Sequence, residues 1–446
     1  MAQVNESVRR REQHGWYFYD WANSTFSTTV VTVFLGPYLT DVTKTAARSD
    51  GFVSVAGLSV RYSAWFPAMV TLSVLLQIVT LPVVGALADR ARSKRRLLAV
   101  FAYSGAFATM LLVFVRDGRF LLGGALFVLA NLAFGASVVV YNAFLPEIAL
   151  PDERDAVSAR GWAMGYLGGA TLLVLNLVLF TLHDSFGLTE SEAVRICLVS
   201  AGAWWALFTL IPLSRLIDRP PVRPVSADGG GPLTAGFRQL RVTLRDLLGY
   251  RQTLIFLVAF LLYNDGIQAA IAFSATYGTE ELGLSQQTLV VAILVVQFVA
   301  FAGALLLGRI ARTRGARNTV LGSLVVWTLV VAYAAMVPKG SAVQFFVLAV
   351  AIGLVLGGSQ ALSRSLFSQF IPTGREAEYF GLYEISDGAT SMIGSLLITL
   401  VLQVTGSYRL AIVGLVVFFI AGFAVLVRLD VARGIREAGN EVPAVI

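Results

Sequence analysis

The chain reads as an all-α integral membrane protein with twelve transmembrane helices in two pseudo-symmetric six-helix lobes. Composition, the spacing of long apolar stretches and an internal repeat of charged loops carry that reading. Of its 446 residues, 57% are hydrophobic and only 14% are charged, against about 25% charged in a soluble domain. Mean hydropathy is +0.74. A hydrocarbon core about 30 Å thick takes roughly 20 apolar residues per helix. Twelve stretches meet that length: 16–39, 62–88, 96–115, 120–142, 161–182, 192–214, 253–277, 286–308, 317–337, 342–370, 378–404 and 408–428.

The net charge of +7 reflects topology rather than a nucleic-acid footprint. With both termini placed in the cytoplasm, most of the 34 Lys and Arg residues fall on that side. They include Arg9–Arg11, Arg90–Arg96, the middle loop, Arg309–Arg317 and the tail, as the positive-inside rule requires of a cell (inner) membrane protein. Residues 1–15 lack an apolar h-region and read as a cytoplasmic N-terminus, not a cleavable signal. The first lobe then occupies 16–217 and the second 251–428, followed by a cytoplasmic tail at 429–446. Between the lobes, 218–250 contains Pro220-Pro221, Pro224, Gly229–Gly231 and Pro232, a cytosolic linker composition with a surface helix expected around Thr234–Leu248. Cys197 is the only cysteine, so no intrachain disulfide forms, and packing in the sixth span accounts for it.

The two halves echo one another. Gly85-Ala-Leu-Ala-Asp89-Arg90-Ala-Arg92-Ser-Lys94-Arg95 follows the second span, and Gly308-Arg-Ile-Ala-Arg312-Thr-Arg314-Gly-Ala-Arg317 follows the eighth. Pro151-Asp-Glu-Arg154-Asp155-Ala156 matches Pro372-Thr-Gly-Arg375-Glu376-Ala377, and Tyr19-Asp20 has a looser partner in Tyr263-Asn264-Asp265. Parallel repeats of this kind are associated with two-lobed secondary transporters.

Gly85-x-x-x-Asp89-Arg90-x-x-x-Lys94-Arg95 resembles the signature loop of the major facilitator superfamily. Tyr19–Ser24, Tyr141–Glu147 with Ser158–Tyr166, and Gly358–Ser365 with Tyr379–Glu384 resemble the branch named after the autophagy-linked vacuolar amino-acid effluxer. The superfamily resemblance covers the whole chain and implies the major facilitator fold. In that fold the first, fourth, seventh and tenth spans surround a central cavity, while the third, sixth, ninth and twelfth face lipid. Gly85, Asp89, Arg90, Lys94 and Arg95 would form a cytoplasmic gate: Gly85 permits close helix packing, and Asp89 accepts hydrogen bonds from the N-terminus of the eleventh helix. The second-half loop departs from the pattern, carrying Arg312 where an acid would mirror Asp89, so the acid-based gate falls to Asp89.

Charges inside spans are expensive and normally face a bundle interior or a water-filled cavity. Here they are Asp20, Asp265, Arg364, Glu384 and Asp387. At about 1.5 Å per residue, Asp265 lies roughly 18 Å beyond Thr253 and Asp387 roughly 14 Å beyond Glu378. Two readings stand for this set. Arg364 pairs with Glu384 or Asp387 to hold helices together, or one carboxylate takes up a proton or a substrate cation. Asp20 is read either as a gate or helix-end charge, or as a binding residue sharing a face with Asn23. Asn131, Tyr141, Asn142, Asn264, Gln268, Gln360 and Ser363 are the uncharged polar candidates. Each can instead bridge helices, at about 0.6 kcal/mol. Trp16 and Tyr38 are expected in the interfacial aromatic belts. Trp21, Trp162 and Tyr166 are read as packing residues or as cation–π partners.

No nucleotide-binding loop is encoded: the lysines are Lys44, Lys94 and Lys339, and none follows a glycine. Energy would then come from an ion or solute gradient, with no cofactor and no metal. His14 and His183 lie outside the spans, which argues against histidine-based chemistry in the membrane. The expected function is secondary transport by alternating access of a small polar solute, an amino acid being exported, with a proton as coupling ion. Arg364 would hold the substrate carboxylate and Asp265 its ammonium, while a second acid shuttles the proton, since buried carboxyls titrate nearer working pH. A multidrug or other small-metabolite transporter of the same fold is the alternative, and a non-transporting receptor or scaffold a further one. The expected partners are the small-molecule substrate, the proton and the lipid bilayer, with no nucleic acid and a monomeric chain.

Overall fold

The computed structural model describes residues 6–222, 241–243 and 245–446, without the side chains of 387–392. Helix α1 (Glu6–Thr25) runs on through a π-helical stretch, Phe26–Phe34, into Leu35–Thr45. It therefore begins well before Trp16, because the Arg-rich first turns are helical but too polar for hydropathy to register. The π-helical stretch is rich in Thr and Val, whose branched side chains crowd an α-helix. Thr28 Oγ1 donates to Ser24 O at 2.9 Å and Thr32 Oγ1 to Ser27 O at 2.8 Å, competing with the regular ladder.

The remaining spans are α2 (Trp65–Ala88), α3 (Lys94–Leu111), α4 (Phe120–Asn142), α5 (Arg154–Thr181), α6 (Glu190–Arg215), α7 (Arg251–Thr276), α8 (Gln286–Arg314), α9 (Ala316–Ala334), α10 (Ala342–Gln369), α11 (Glu376–Thr405) and α12 (Tyr408–Gly414 with Val416–Val427). A short α13 (Val431–Glu437) follows. Ten helices among the described residues are long and apolar enough to cross a membrane, and the described part of α11 adds the apolar stretch Ile393–Thr405. Caps set their starts: Ser93, Thr189, Ser285 and Ser407 each accept a backbone N–H of the following turn. A hairpin of β1 (Phe52–Val55) and β2 (Leu58–Arg61) joins α1 to α2. Its Ala56-Gly57 turn has φ of 48° and 84°, the left-handed values of a tight hairpin turn.

By internal packing the chain divides into two compact units. The first contains Met1–Leu81, Ala91–Tyr141 and Leu167–Pro220. In it α6 packs on α1 and α3 around the fully buried Trp205, whose ring lies 5.6 Å from Phe26 and 6.0 Å from Phe134. A Cβ on Gly105 would sit 2.3 Å from the Trp205 ring. Gly105→Leu is thus expected to cost about 1–3 kcal/mol by overpacking, read as a lowered unfolding temperature in detergent. Gly322→Ala in α9 meets nothing within 4 Å and should hold or raise that temperature. Equal losses in both would refute the packing account.

The second unit contains Pro82–Arg90, Asn142–Tyr166 and Pro221–Ile446. There α10 packs on α8 and α9, and α7 on α11 and α12. Phe260 and Tyr383 stack at 4.3 Å, with Phe367 5.0 Å from Tyr383. The tail closes on this unit: Asn440 Nδ2 donates to Gln369 O at 2.9 Å and Ile371 O at 2.8 Å, and Ala444 N donates to Asp152 at 2.7 Å. Residues 241–243 and 245–247 are helical, and the rest of the helix expected at Thr234–Leu248, up to residue 240, lies outside the described residues.

Candidate functional site

In the first unit Asp20 stands well inside α1, so the helix-end reading of this charge is corrected. Its carboxylate accepts the Tyr141 hydroxyl at 2.7 Å. Trp16 stacks on Tyr141 at 4.4 Å and donates to the Tyr141 carbonyl at 2.9 Å. Asn23 is buried one turn further on. Trp16 is fully buried, and Tyr38, 8% exposed, donates to Val115 O at 2.5 Å. Neither belongs to an aromatic belt: each polar tip finds a buried carbonyl, which hydropathy cannot distinguish from an interface position. Trp21 stacks with Trp204 at 5.5 Å. Asn131 donates to Ser73 at 2.8 Å while its carbonyl accepts Gln77 at 2.7 Å, which ties α4 to α2.

The second unit brings together three predicted residues from α4, α10 and α11. Arg364 is 3% exposed. Its Nη1 donates to Asn142 Oδ1 at 3.2 Å, while Asn142 Nδ2 donates to Glu384 Oε1 at 2.8 Å. A single amide therefore presents its acceptor to the cation and its donor to the carboxylate. Two residues of α5 fix the guanidinium. Ser158 accepts Nε at its hydroxyl (2.9 Å) and Nη2 at its carbonyl (3.0 Å), and Trp162 lies under the guanidinium carbon at 5.5 Å. The Ser158 hydroxyl in turn donates to Ala361 O at 2.7 Å. Of the two readings of Trp162, packing or a cation–π contact, the structure shows the second, with Arg364 of the same chain as the cation. Ser158 is not among the sequence candidates, because a serine among small helical residues carries no charge or periodic signal.

Asp265, on α7, is fully buried, and neither carboxylate oxygen has a hydrogen-bond partner among the described residues. Its carboxyl carbon lies 3.4 Å from where a Cβ on Gly394 of α11 would stand. The side chain of Asp387, on the same helix, lies outside the described residues. Asn264 accepts Gln360 Nε2 at 3.1 Å, and Tyr263 and Ser363 share a 2.6 Å hydrogen bond. Both pairs bridge α7 to α10. Gln268 is half-buried.

The signature loop meets α11. Asp89 Oδ1 accepts Ala377 N and Oδ2 accepts Glu378 N, both at 2.9 Å, so one carboxylate satisfies two orphan donors of the first turn. A Cβ on Gly85 would stand 2.3 Å from Ala377 O, and one on Gly308 would stand 2.5 Å from Ala159 Cβ. Both repeat glycines thus sit at close helix approaches. Arg312 is exposed and supplies no equivalent cap. On the α5 side, Arg154 donates to Ser368 O at 2.9 Å and Gln369 Oε1 at 3.1 Å. Arg95 in the first unit reaches Leu213 O at 3.2 Å, at the end of α6. Arg90 and Lys94 are half-buried.

Comparison with known proteins agrees with this architecture. The family profile described as "Vacuole effluxer Atg22 like" matches residues 8–439. The Bacillus subtilis protein "Uncharacterized MFS-type transporter YxiO" is 27% identical over 97% of this chain and 98% of its own. Autophagy-related protein 22 of Yarrowia lipolytica is 30% identical over 82% of this chain and 76% of its own. Among solved structures, the major facilitator superfamily transporter FucP in the outward conformation superposes with a TM-score of 0.66. It shares 12% identity, and the match covers 96% of this chain and 99% of that one. A bacterial homologue of the iron transporter ferroportin in the outward-facing state also gives 0.66, at 14% identity, covering 95% and 99%. These likenesses are of fold. The chain belongs to the Atg22-like vacuole effluxer family, a branch of the major facilitator superfamily of membrane transporters.

Proposed function

We propose that the protein is a secondary active transporter of a small polar solute, an amino acid exported across the cell membrane in exchange for protons by alternating access. Both termini lie in the cytoplasm, and the six-helix lobes 16–217 and 251–428 move about the linker. The observation that carries the reading is Asn142 between Arg364 and Glu384. Its amide offers an acceptor to the cation and a donor to the anion, the pattern that a zwitterionic carboxylate and ammonium would offer. A substrate that displaces this amide replaces two hydrogen bonds in which one partner is ionised with ion pairs in which both partners are ionised. Asp89, holding the start of α11, serves as the gate on the cytoplasmic side, with Gly85, Arg90, Lys94 and Arg95.

Uptake into proteoliposomes, with a panel of amino acids and polar metabolites and an imposed proton gradient, tests this reading. Gradient-driven flux of one or more amino acids supports it. Flux confined to apolar cations would move the protein to the multidrug alternative. Asp265, buried in α7, is proposed to carry the proton. Asp265→Asn should abolish proton-driven accumulation, by about tenfold or more as for an essential titrating group, while substrate exchange without a gradient continues. Retention of both activities would remove Asp265 from the coupling step.

A further inference from the structure

We propose that the described helical residues at the end of the linker, 241–243 and 245–247, form a second clasp on the cytoplasmic gate, with Thr243 and Asp246 as positioning residues that hold the start of α11 alongside Asp89. This rests on the gate reading above. Thr243, Asp246 and Leu247 share one face at i, i+3 and i+4, and Arg245, which lies between them, is exposed. Thr243 is fully buried and donates to Glu378 Oε1. Arg375 Nη2 lies 2.8 Å from Asp246 Oδ2, and the Arg375 side chain is only 8% exposed. Leu247 enters the hydrophobic core of the second unit. Glu378 is also the residue whose backbone N–H is taken by Asp89. One residue in the first turn of α11 is thus held twice, through its backbone by Asp89 of the signature loop and through its side chain by the linker.

The linker's start reaches the same loop. A Cβ on Gly374, at φ +83°, would stand 2.9 Å from Val222. Just before it, Asp218 accepts Ser93 Oγ at 2.5 Å and Arg95 N at 2.9 Å, so it holds the signature loop as well. The repeat gives the clasp its reason. In the first half Arg154 of the repeated Pro-x-x-Arg loop reaches the end of α10, whereas its counterpart Arg375 is engaged by the linker instead.

The test uses the full chain in lipid nanodiscs, spin-labelled at the exposed positions Arg92→Cys and Thr373→Cys in a Cys197→Ala background. Double electron–electron resonance then reads the inner-open and inner-closed populations. Thr243→Val and Asp246→Ala should each raise the inner-open to inner-closed ratio about fivefold, as expected for one lost hydrogen bond of ordinary net strength. Thr243→Ser, which keeps the hydroxyl, should match the wild type, as should Arg245→Ala on the exposed face. If Thr243→Val and Asp246→Ala leave the ratio unchanged while Asp89→Ala raises it, the clasp is refuted and the gate stands. If Thr243→Ser opens the gate as much as Thr243→Val, the hydroxyl has no role and the clasp is again refuted. An unchanged ratio in Asp89→Ala overturns the gate reading itself.

Discussion

Arg364→Lys should weaken transport of a carboxylate-bearing substrate about tenfold to a hundredfold and leave the protein folded. The guanidinium is held at three nitrogens in one plane: Nε on the Ser158 hydroxyl, Nη2 on the Ser158 carbonyl and Nη1 on Asn142. Trp162 lies beneath it at 5.5 Å. An ammonium is a compact point charge without that planar fork. It can keep the charge beside Asn142 or the bond to Ser158, but not the whole set. Each hydrogen bond to a charged group is worth about 1.5–3 kcal/mol, and about 1.4 kcal/mol is a factor of ten. Concentration dependence of uptake in proteoliposomes would read the loss, with the unfolding temperature recorded alongside. Unchanged affinity for an amino acid would show that Arg364 is a helix clamp and nothing more. Ser158→Ala keeps the carbonyl bond and the stack, and should cost only a fewfold loss, consistent with one hydrogen bond.

The fold was legible because its signals are long: twenty-residue apolar stretches, a loop repeated in both halves and a basic bias on one side. The charged members of the site were legible for a related reason, since Arg364 and Glu384 are anomalous in apolar helices wherever they point. Asp89 and Gly85 came from their spacing. Other features were beyond sequence reading because they depend on neighbours brought in from elsewhere in the chain. Ser158 acquires its importance only when α5 lies on α10. Trp16 and Tyr38 are amphipathic rings near span ends, and whether such a ring meets lipid or a buried carbonyl is decided by tertiary packing. The start of α1 at Glu6 has no sequence signal, because arginines in a helix outside the hydrocarbon leave no apolar trace. Thr243 and Asp246 lay in a Pro/Gly-rich segment whose average composition concealed a short face of three docking residues.

Asp89→Ala should shift the protein toward the inner-open state by about 2–3 kcal/mol, a factor of roughly 30–150, without changing which solutes are carried. The estimate follows from what the carboxylate does. It is 7% exposed and takes two backbone donors of α11 at 2.9 Å each. These are charge-assisted bonds at a helix N-terminus, where a negative charge adds about 0.3–1 kcal/mol through the helix dipole and up to about 2 kcal/mol when partly buried. Removing the side chain leaves Ala377 N and Glu378 N without those acceptors in the closed state, but costs the open state little, because water reaches the donors there. The shift therefore belongs to the equilibrium between conformations and not to the groups around Arg364. Spin-label distances between the inner ends of α2 and α11 would report it, and a substrate panel run on the same variant would show an unchanged order of preference. A changed order with unchanged distances would place Asp89 in recognition and overturn the gate. Asp89→Asn sharpens the test: it keeps one oxygen acceptor and loses the charge, so its shift should fall between wild type and Asp89→Ala.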